Sequence, residues 1–291
     1  MQPRVVPEEP THKKLPKSIR IYLWVLGIVL LLVSLVFYNI PQYRFYYEPE
    51  ELPLYSINKT YHDDTLRIAL IGDSWADYHT LLSGDTIIVN AAKKIYKKPV
   101  KAVTRGKKGA LSKEVYFFMY SDKTEEHTDE PDRCTQPLIE DHPDYCVIFA
   151  GINDVTYLRT LSFYTENMKL IIRLLLHNQI RPVIMEIPLV NFTEPMHRKR
   201  LRERLFYRFR SVLMGTSNQH GEDYQKALYD MLTETGLRDS VLFIPVRKWN
   251  SNGATDTSMF LDDCLHLNLE GYYRLDSCII SEIVRDYTIR Q

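Results

Sequence analysis

The sequence predicts an α/β protein, a three-layer α/β/α sandwich around a mostly parallel five-stranded sheet, preceded by one transmembrane helix. Five short apolar segments of strand length alternate with segments in which apolar residues recur at helical spacing. Strands that alternate with helices pair in parallel and carry helices on both faces of the sheet. An uncharged apolar segment lies near the N-terminus. With 45% apolar and 25% charged residues, the 291-residue chain has a globular composition and enough length to bury a core.

The N-terminal apolar segment, Ile21–Tyr38, reads IYLWVLGIVLLLVSLVFY. As a helix it spans about 27 Å, close to the ~30 Å hydrocarbon core of a bilayer. Trp24 near one end and Tyr38 at the other suit the membrane interfaces. A buried core helix would have a polar face, and a cleaved signal peptide would have a shorter apolar region and a small-residue cleavage site. We therefore expect an uncleaved signal anchor over residues 21–40, placed in the lipid bilayer.

The charges around this segment predict its orientation. Five Lys or Arg residues precede it, whereas only Arg44 and Lys59 follow within about 20 residues. The positive-inside rule then makes residues 1–20 a cytoplasmic tail and the chain a single-pass membrane protein. Residues 41–65, rich in Tyr, Glu and Pro, are expected to be a linker or stalk. Residues 66–291 would form the folded domain outside, in a periplasmic or other extracytoplasmic space.

The first half of this domain gives two strands and two helices. Residues 66–71 (LRIALI) are a continuous apolar run, which is typical of a strand buried on both faces. Apolar residues recur at helical spacing over 85–98, and 99–103 is a second short strand. A helix is expected over 112–120, with the serine at its start as a plausible cap. Residues 121–143 are polar and irregular, so we expect a surface excursion.

The second half repeats the alternation. Residues 145–150 (YCVIFA) and 182–187 (PVIMEI) are apolar strands, separated by an amphipathic helix over 161–178. The remaining predicted elements are helical stretches at 195–214 and 221–235, a strand at 241–245 and a closing helix at 269–285. Sites in such sheets gather at the carboxyl ends of the strands.

Charge and cysteine content exclude several classes of function. The 37 basic and 37 acidic residues cancel, and the excess of base in the N-terminal tail leaves the folded domain mildly acidic, which argues against nucleic-acid binding. The nine His form no H-E-x-x-H and no other cluster, so we expect no metal and no cofactor. The four Cys form no C-x-x-C and leave free thiols and disulfides equally open. A Cys264–Cys278 bridge is one hypothesis.

Three polar motifs follow predicted strands or precede the last helix. They are G-D-S-W at residues 72–75, G-I-N-D at residues 151–154 and D-C-L-H at residues 263–266. A serine at a strand-to-helix turn suits a nucleophile, an asparagine can donate to an oxyanion, and a carboxylate three residues before a histidine can orient the ring. Each has a simpler interpretation taken alone: a helix cap, a turn residue, and a chance spacing.

In this order the motifs resemble the SGNH hydrolase superfamily, also called GDSL esterases, over roughly residues 66–288. Residues 72–74 match the family's first block, 151–154 its third and 263–266 its fifth. The second block is a glycine in the loop after the second strand, where Gly109 fits better than Gly106. The chain departs from the family's G-D-S-L signature by a tryptophan in place of leucine, which leaves the nucleophile intact.

The resemblance implies a flavodoxin-like SGNH fold and assigns the catalytic residues. Ser74 would attack an ester carbonyl, His266 would take its proton and pass it to the leaving group, and Asp263 would hold the histidine tautomer. The backbone N–H groups of Ser74 and Gly109, with the side chain of Asn153, would bind the oxyanion. No cofactor or metal is implied.

The expected function is that of a membrane-anchored serine esterase. It would hydrolyse O-acyl esters, in particular O-acetyl groups of a cell-surface polysaccharide, so its partner would be an acylated carbohydrate or another small ester substrate. Three alternatives stay open: an O-acyltransferase that uses the same chemistry, a lysophospholipase or thioesterase, and a catalytically silent binding domain. The sequence predicts no oligomeric state.

Charged residues near the motifs have expected roles as well. Asp73 and Asp154 are interpreted as structural, holding their loops through backbone hydrogen bonds. The basic stretch at residues 197–210 is either a solvated helix face or a contact for anionic lipid or glycan, and Lys107 and Lys108 would also suit an anionic substrate. If the stretch is a solvated helix, three of its residues face the core, namely Leu201, Leu205 and Phe209.

Overall fold

The computed structural model describes residues 16–38, 64–81, 84–119, 135–157, 159–189, 200–202, 204–205, 208, 221–251, 257–263 and 265–290. The chain divides into two compact units, and helix α1 (Lys17–Tyr38) lies in the first. Among the described residues α1 is the one helix long and apolar enough to cross a membrane, and none of its apolar window is buried. An N-terminal candidate transmembrane helix is thus present, as the sequence predicts.

The second unit is built on a five-stranded sheet. Its strands are β1 (Leu66–Gly72), β2 (Val100–Gly106), β3 (Tyr145–Phe149), β4 (Arg181–Met185) and β5 (Leu242–Ile244). Their order is β2-β1-β3-β4-β5, and every neighbouring pair is parallel. The predicted parallel five-stranded sheet is confirmed. This order places β1 between β2 and β3, so the loops that follow these three strands meet at one edge.

Eight α-helices whose bounds the structure describes connect and cover the strands. They are α2 (Ser74–Leu81), α3 (Gly84–Ile95), α4 (Ser112–Phe118), α5 (Gln136–Glu140), α6 (Ile152–Thr156), α7 (Leu161–His177), α8 (Gly221–Glu234) and α9 (Leu269–Arg290). The sequence did not predict α2, α5 or α6. These helices are short, so their apolar residues repeat too few times to show helical spacing.

The sheet separates two apolar cores. Ile68 and Leu70 of β1 pack on the side covered by α2, α3 and α9, whereas Ala69 and Ile71 pack on the side covered by α4, α7 and α8. Successive side chains of a strand point to opposite faces, so both faces of β1 are buried. This burial explains why the strands read as continuous apolar runs rather than alternating ones, and it confirms the predicted three-layer sandwich.

Several local expectations differ from the structure. Leu201 and Leu205 are exposed rather than turned toward the core, at 63% and 57%, and Phe209 lies outside the described residues. Ser112 is not the cap of α4, because Leu111 occupies that position and the serine binds Asp154 instead. Free thiols are found at Cys146 and Cys278, so the hypothesis of a Cys264–Cys278 bridge is wrong.

The last residue of β1 is a glycine because β3 passes very close to it. Gly72 has a φ of +150°, and a Cβ at this position would lie 2.0 Å from the carbonyl oxygen of Phe149. We expect Gly72→Ala to lower the free energy of unfolding by ~3 kcal/mol or more, through clash and backbone strain. Urea unfolding followed by tryptophan fluorescence would measure this. Gly236→Ala is the matched control, since Gly236 also has a positive φ but open space around it; an equal loss in both variants would contradict the clash.

Candidate active site

The fold brings the three polar motifs to one region of the sheet edge. Ser74 is the first residue of α2, directly after β1, and Asn153 lies in α6, directly after the neighbouring strand β3. His266 lies in the loop between β5 and α9. A hydrogen bond between His266 and Ser74 joins this loop to the serine across 192 residues of sequence.

Ser74, His266 and Asp263 form a continuous hydrogen-bonded chain. Ser74 Oγ lies 2.9 Å from His266 Nε2, and His266 Nδ1 lies 2.6 Å from Asp263 Oδ2. The serine is buried, whereas about half of the aspartate side chain is exposed. These are the contacts that let a histidine accept a serine proton while a carboxylate fixes its tautomer. The structure thus brings together the three residues that the sequence singled out.

The three-residue spacing between Asp263 and His266 follows from the geometry of the loop. Asp263 Oδ1 accepts the backbone N–H groups of Leu265 and His266, both at 2.9 Å, while Oδ2 faces the imidazole. Burial tends to raise the pKa of Asp263, but the hydrogen bonds from the side chain and backbone of His266 and from Leu265 hold it below the ordinary 3.8. The carboxylate therefore stays ionised at neutral pH, as the orienting role requires.

Asn153 is oriented by the loop that precedes α4. Its Nδ2 donates to the backbone carbonyl of Ala110 at 3.0 Å, which uses one of the two amide N–H bonds and leaves the other for a ligand. The chain reaches this position through Gly151, whose φ is +114° and where a Cβ would lie 2.5 Å from Ile187 Cδ1. A glycine is therefore required to turn Asn153 inward.

The two glycines of the β2–α4 loop have different surroundings. A Cβ on Gly106 would lie 2.4 Å from the backbone nitrogen of Asp77, so this glycine allows the loop to pack against α2. Gly109 has a φ of +74°, and the atom nearest to a Cβ there would be Tyr157 Oη at 3.8 Å. Close packing explains Gly106, whereas the left-handed backbone explains Gly109. The position beside Ala110 makes Gly109 the better candidate for an oxyanion donor.

Two buried carboxyl groups support the loops without joining the hydrogen-bonded chain. Asp73 Oδ1 accepts the N–H of Trp75 at 2.9 Å, and burial raises the pKa of Asp73 to about 8. Asp154 accepts both the N–H and the hydroxyl of Ser112, at 3.0 and 2.8 Å, and burial raises its pKa to about 6. These contacts agree with the structural roles expected for both residues.

The raised pKa of Asp73 predicts a pH-dependent stability. A carboxyl whose pKa rises from the ordinary 3.8 to about 8 on folding binds a proton more tightly in the folded protein. Its stabilising contribution is complete below about pH 4 and is lost as the pH rises through about 8, at ~1.4 kcal/mol per pH unit. Asp73→Asn should remove this slope between about pH 5 and 7.5. Urea unfolding at both pH values measures it, and an unchanged slope in the variant would contradict the prediction.

One contact of the site was not predicted from the sequence. The ring of Tyr78 packs against the His266 imidazole, with centroids 4.8 Å apart, and Lys108 Nζ lies 5.0 Å from the centre of the same tyrosine ring. Lys108 Nζ is also 3.6 Å from Asp77 Oδ2. Tyr78 lies one helical turn after Ser74, so it could have been found only by first recognising α2 as a helix.

Within the described part of the chain, no group of three His, Cys, Asp or Glu side chains is arranged to hold a metal ion. The chemistry that the arrangement supports is carried by the serine, the histidine, the aspartate and nearby N–H donors. It is attack of a hydroxyl on a carbonyl, followed by release of the bound group.

Comparisons with known proteins find one family and several solved structures with a similar fold. A family model described as GDSL-like lipase/acylhydrolase matches residues 70–274. A GDSL-like lipase from Bacteroides thetaiotaomicron is 14% identical, with 76% of this chain and 88% of that chain covered and a TM-score of 0.50. TesA is 13% identical, with 75% and 97% covered and a TM-score of 0.50. A lipase/acylhydrolase from Enterococcus faecalis is 18% identical, with 76% and 96% covered and a TM-score of 0.49. None of the curated proteins compared with the chain matches it.

Proposed function

The chain belongs to the GDSL-like lipase/acylhydrolase family and is a hydrolase acting on ester bonds; from this membership we propose that it is a membrane-anchored serine esterase that removes short O-acyl groups, in particular O-acetyl groups of a cell-surface polysaccharide. One observation carries the catalytic part of the proposal. Ser74 Oγ is 2.9 Å from His266 Nε2, whose ring is held by Asp263 at 2.6 Å.

The reaction follows from this geometry in two steps. His266 Nε2 takes the proton of Ser74 as the hydroxyl oxygen attacks the acyl carbon, and the same proton passes to the departing alcohol. Asp263 stabilises the imidazolium that forms between these events. Water activated by His266 then cleaves the acyl–serine ester, which releases the carboxylic acid and restores the serine.

The oxyanion of each tetrahedral intermediate needs donors that are already in place. We assign them to the backbone N–H groups of Ser74 and Gly109 and to Asn153 Nδ2. The amide of Asn153 is buried and tied to Ala110, so it requires no reorganisation during the reaction.

A small cavity lies beside the segments that carry Ser74 and Asn153, although neither residue lines it. A cavity of about 20 Å³ is lined by Asp73 and Trp75, which flank Ser74, by Ile152, which precedes Asn153, and by Trp249. A space of this size holds roughly one water molecule or a methyl group. We propose that this cavity receives the methyl group of an acetyl ester, which such a space can hold, whereas a long acyl chain would not fit.

Hydrolysis of a series of p-nitrophenyl esters by the full-length chain in detergent tests the proposal. We expect turnover of the acetate ester to exceed that of the octanoate ester and Ser74→Ala to abolish both. Release of acetate from an O-acetylated polysaccharide would then test the natural substrate class. Preference for octanoate would indicate a lipid substrate, and no turnover by the folded chain until a sugar acceptor is added would indicate acyl transfer.

The location rests on helix α1 and the charges before it. We propose that residues 1–20 are a cytoplasmic tail, 21–40 the anchor, 41–65 a linker and 66–291 the hydrolase domain outside the membrane. The excess of Lys and Arg before the helix supports this orientation. Protease added to intact cells should then degrade the hydrolase domain and spare an epitope fused to the N-terminus. Degradation of the epitope with survival of the domain would reverse the orientation.

A further inference from the structure

Two buried contacts join α2, which begins at the nucleophile, to α9, which follows the loop of the catalytic histidine. In the first, the tyrosine rung, Tyr272 Oη donates to the backbone carbonyl of Trp75 at 3.2 Å. In the second, the histidine rung, His79 Nε2 lies 3.3 Å from Asp276 Oδ1. Each member of the histidine rung lies four positions beyond its counterpart, so the two rungs are one helical turn apart on both helices.

The histidine rung is polar but lies entirely inside the protein. Both side chains are fully buried, and the His79 ring stacks on Phe149 at 5.3 Å between centroids and meets the ring of Tyr272 edge-on at 4.7 Å. Burial lowers the pKa of His79 to about 3, so the imidazole is neutral and carries a single N–H. The triad and the oxyanion donors make no use of this pair.

Helix α9 is also fixed to the loop that carries His266. Asn268 Oδ1 accepts the N–H of Gly271 at 3.0 Å, and the backbone N–H of Asn268 donates to the carbonyl of Met259 at 2.9 Å. A Cβ on Gly271 would lie 2.3 Å from that same carbonyl oxygen, so the first turn of α9 packs directly on the loop. A shift of α9 along α2 would therefore move His266 relative to Ser74.

We propose that His79 and Asp276 are positioning residues, which fix the register of α2 and α9 and thereby hold Ser74 Oγ and His266 Nε2 at hydrogen-bond distance. The inference rests on the proposed role of Ser74 as nucleophile. The two atoms of the histidine rung do not meet hydrogen-bond geometry, but a shift of either helix would take the buried His79 imidazole away from its polar neighbour, which costs free energy in an apolar core. Apolar side chains of the same volume carry no such cost. The register matters because a displacement of about 1 Å between reacting groups can cost roughly 10²-fold in rate.

The test is the double variant in which His79→Phe and Asp276→Leu replace the polar rung by apolar side chains of similar size. In the full-length chain we expect a thermal midpoint near that of the wild type, a KM within about twofold and a kcat at least ~10-fold lower. Labelling of Ser74 by a fluorophosphonate should slow by a similar factor. Asp276→Asn keeps an oxygen facing His79, so it should retain near wild-type kcat. A folded double variant with wild-type kcat would overturn the proposal.

A control separates positioning from general stability. Ile280→Val removes one buried methyl group from the same helix, so it should lower the thermal midpoint and leave kcat unchanged; a fall in its kcat equal to that of the double variant would also overturn the proposal. If the double variant does not fold, Asp276→Leu alone takes its place, and a folded Asp276→Leu variant with wild-type kcat would refute the proposal. Turnover retained by Ser74→Ala would instead refute the proposed function.

Discussion

Replacing His266 by alanine is expected to lower kcat for p-nitrophenyl acetate by about 10⁴-fold or more, with little change in KM. The variant would lose the group that we propose takes the Ser74 proton, and a neutral serine hydroxyl is a weak nucleophile. The imidazole is the group that links Ser74 to Asp263 in the hydrogen-bonded chain, through one contact to each. Steady-state kinetics with burst-phase detection of the acyl-enzyme would measure the effect.

His177→Ala is the matched control for this substitution. His177 is exposed at the end of α7, shortly before the start of β4 and hence at the opposite edge of the sheet. It should leave kcat unchanged. If His266→Ala kept more than roughly a tenth of the wild-type kcat while remaining folded, His266 would not be the general base, and another proton acceptor would be required.

Replacing Asn153 by alanine should lower kcat by on the order of 10²–10³-fold, the usual cost of removing one oxyanion donor. The buried amide would donate to the oxyanion of the tetrahedral intermediate and not to the ground-state ester. KM should therefore change little. Loss of the hydrogen bond to Ala110 also loosens the loop beside Gly109. Kinetics with p-nitrophenyl acetate, together with the thermal midpoint, would separate the two effects.

Asn178→Ala provides the comparison, because Asn178 is also a buried asparagine whose Nδ2 donates to a backbone carbonyl, that of Leu174. It lies at the end of α7, away from the loops that carry Ser74 and His266. We expect a loss of stability without loss of kcat. Similar kcat values in both asparagine variants would indicate that Asn153 acts through folding and would remove it from the oxyanion site.

Both expected results concern residues that short sequence motifs identify. The motifs can be recognised because the interactions they encode lie between residues close in sequence. The motifs at residues 72–75, 151–154 and 263–266 all depend on hydrogen bonds or backbone turns within a few positions, such as the Asp263 carboxylate receiving the N–H of His266. The strands could also be predicted from the sequence, because burial on both faces makes them continuous apolar runs. The uncharged N-terminal helix was visible by length and composition alone.

Other features depend on contacts between residues distant in sequence. The short helices α2 and α6 have too few turns to show helical spacing, and they form where the chain leaves a buried strand at a glycine. The distinction between Gly106 and Gly109 requires knowing what surrounds each one. Leu201 and Leu205 are exposed, although their helical spacing predicts that they face the core. Spacing alone does not show whether an apolar helix face packs against the rest of the protein.

The sequence by itself determined the fold class, the parallel sheet, the N-terminal candidate transmembrane helix and the identity of the candidate catalytic residues, because apolar periodicity and local hydrogen-bonding geometry are written in neighbouring residues. Only the tertiary structure decided the strand order, the 2.9 Å contact between Ser74 and His266, and the buried pair of His79 and Asp276. The two side-chain contacts join residues that are far apart in the chain. They arise from how helices pack on the sheet, and no local pattern encodes that packing.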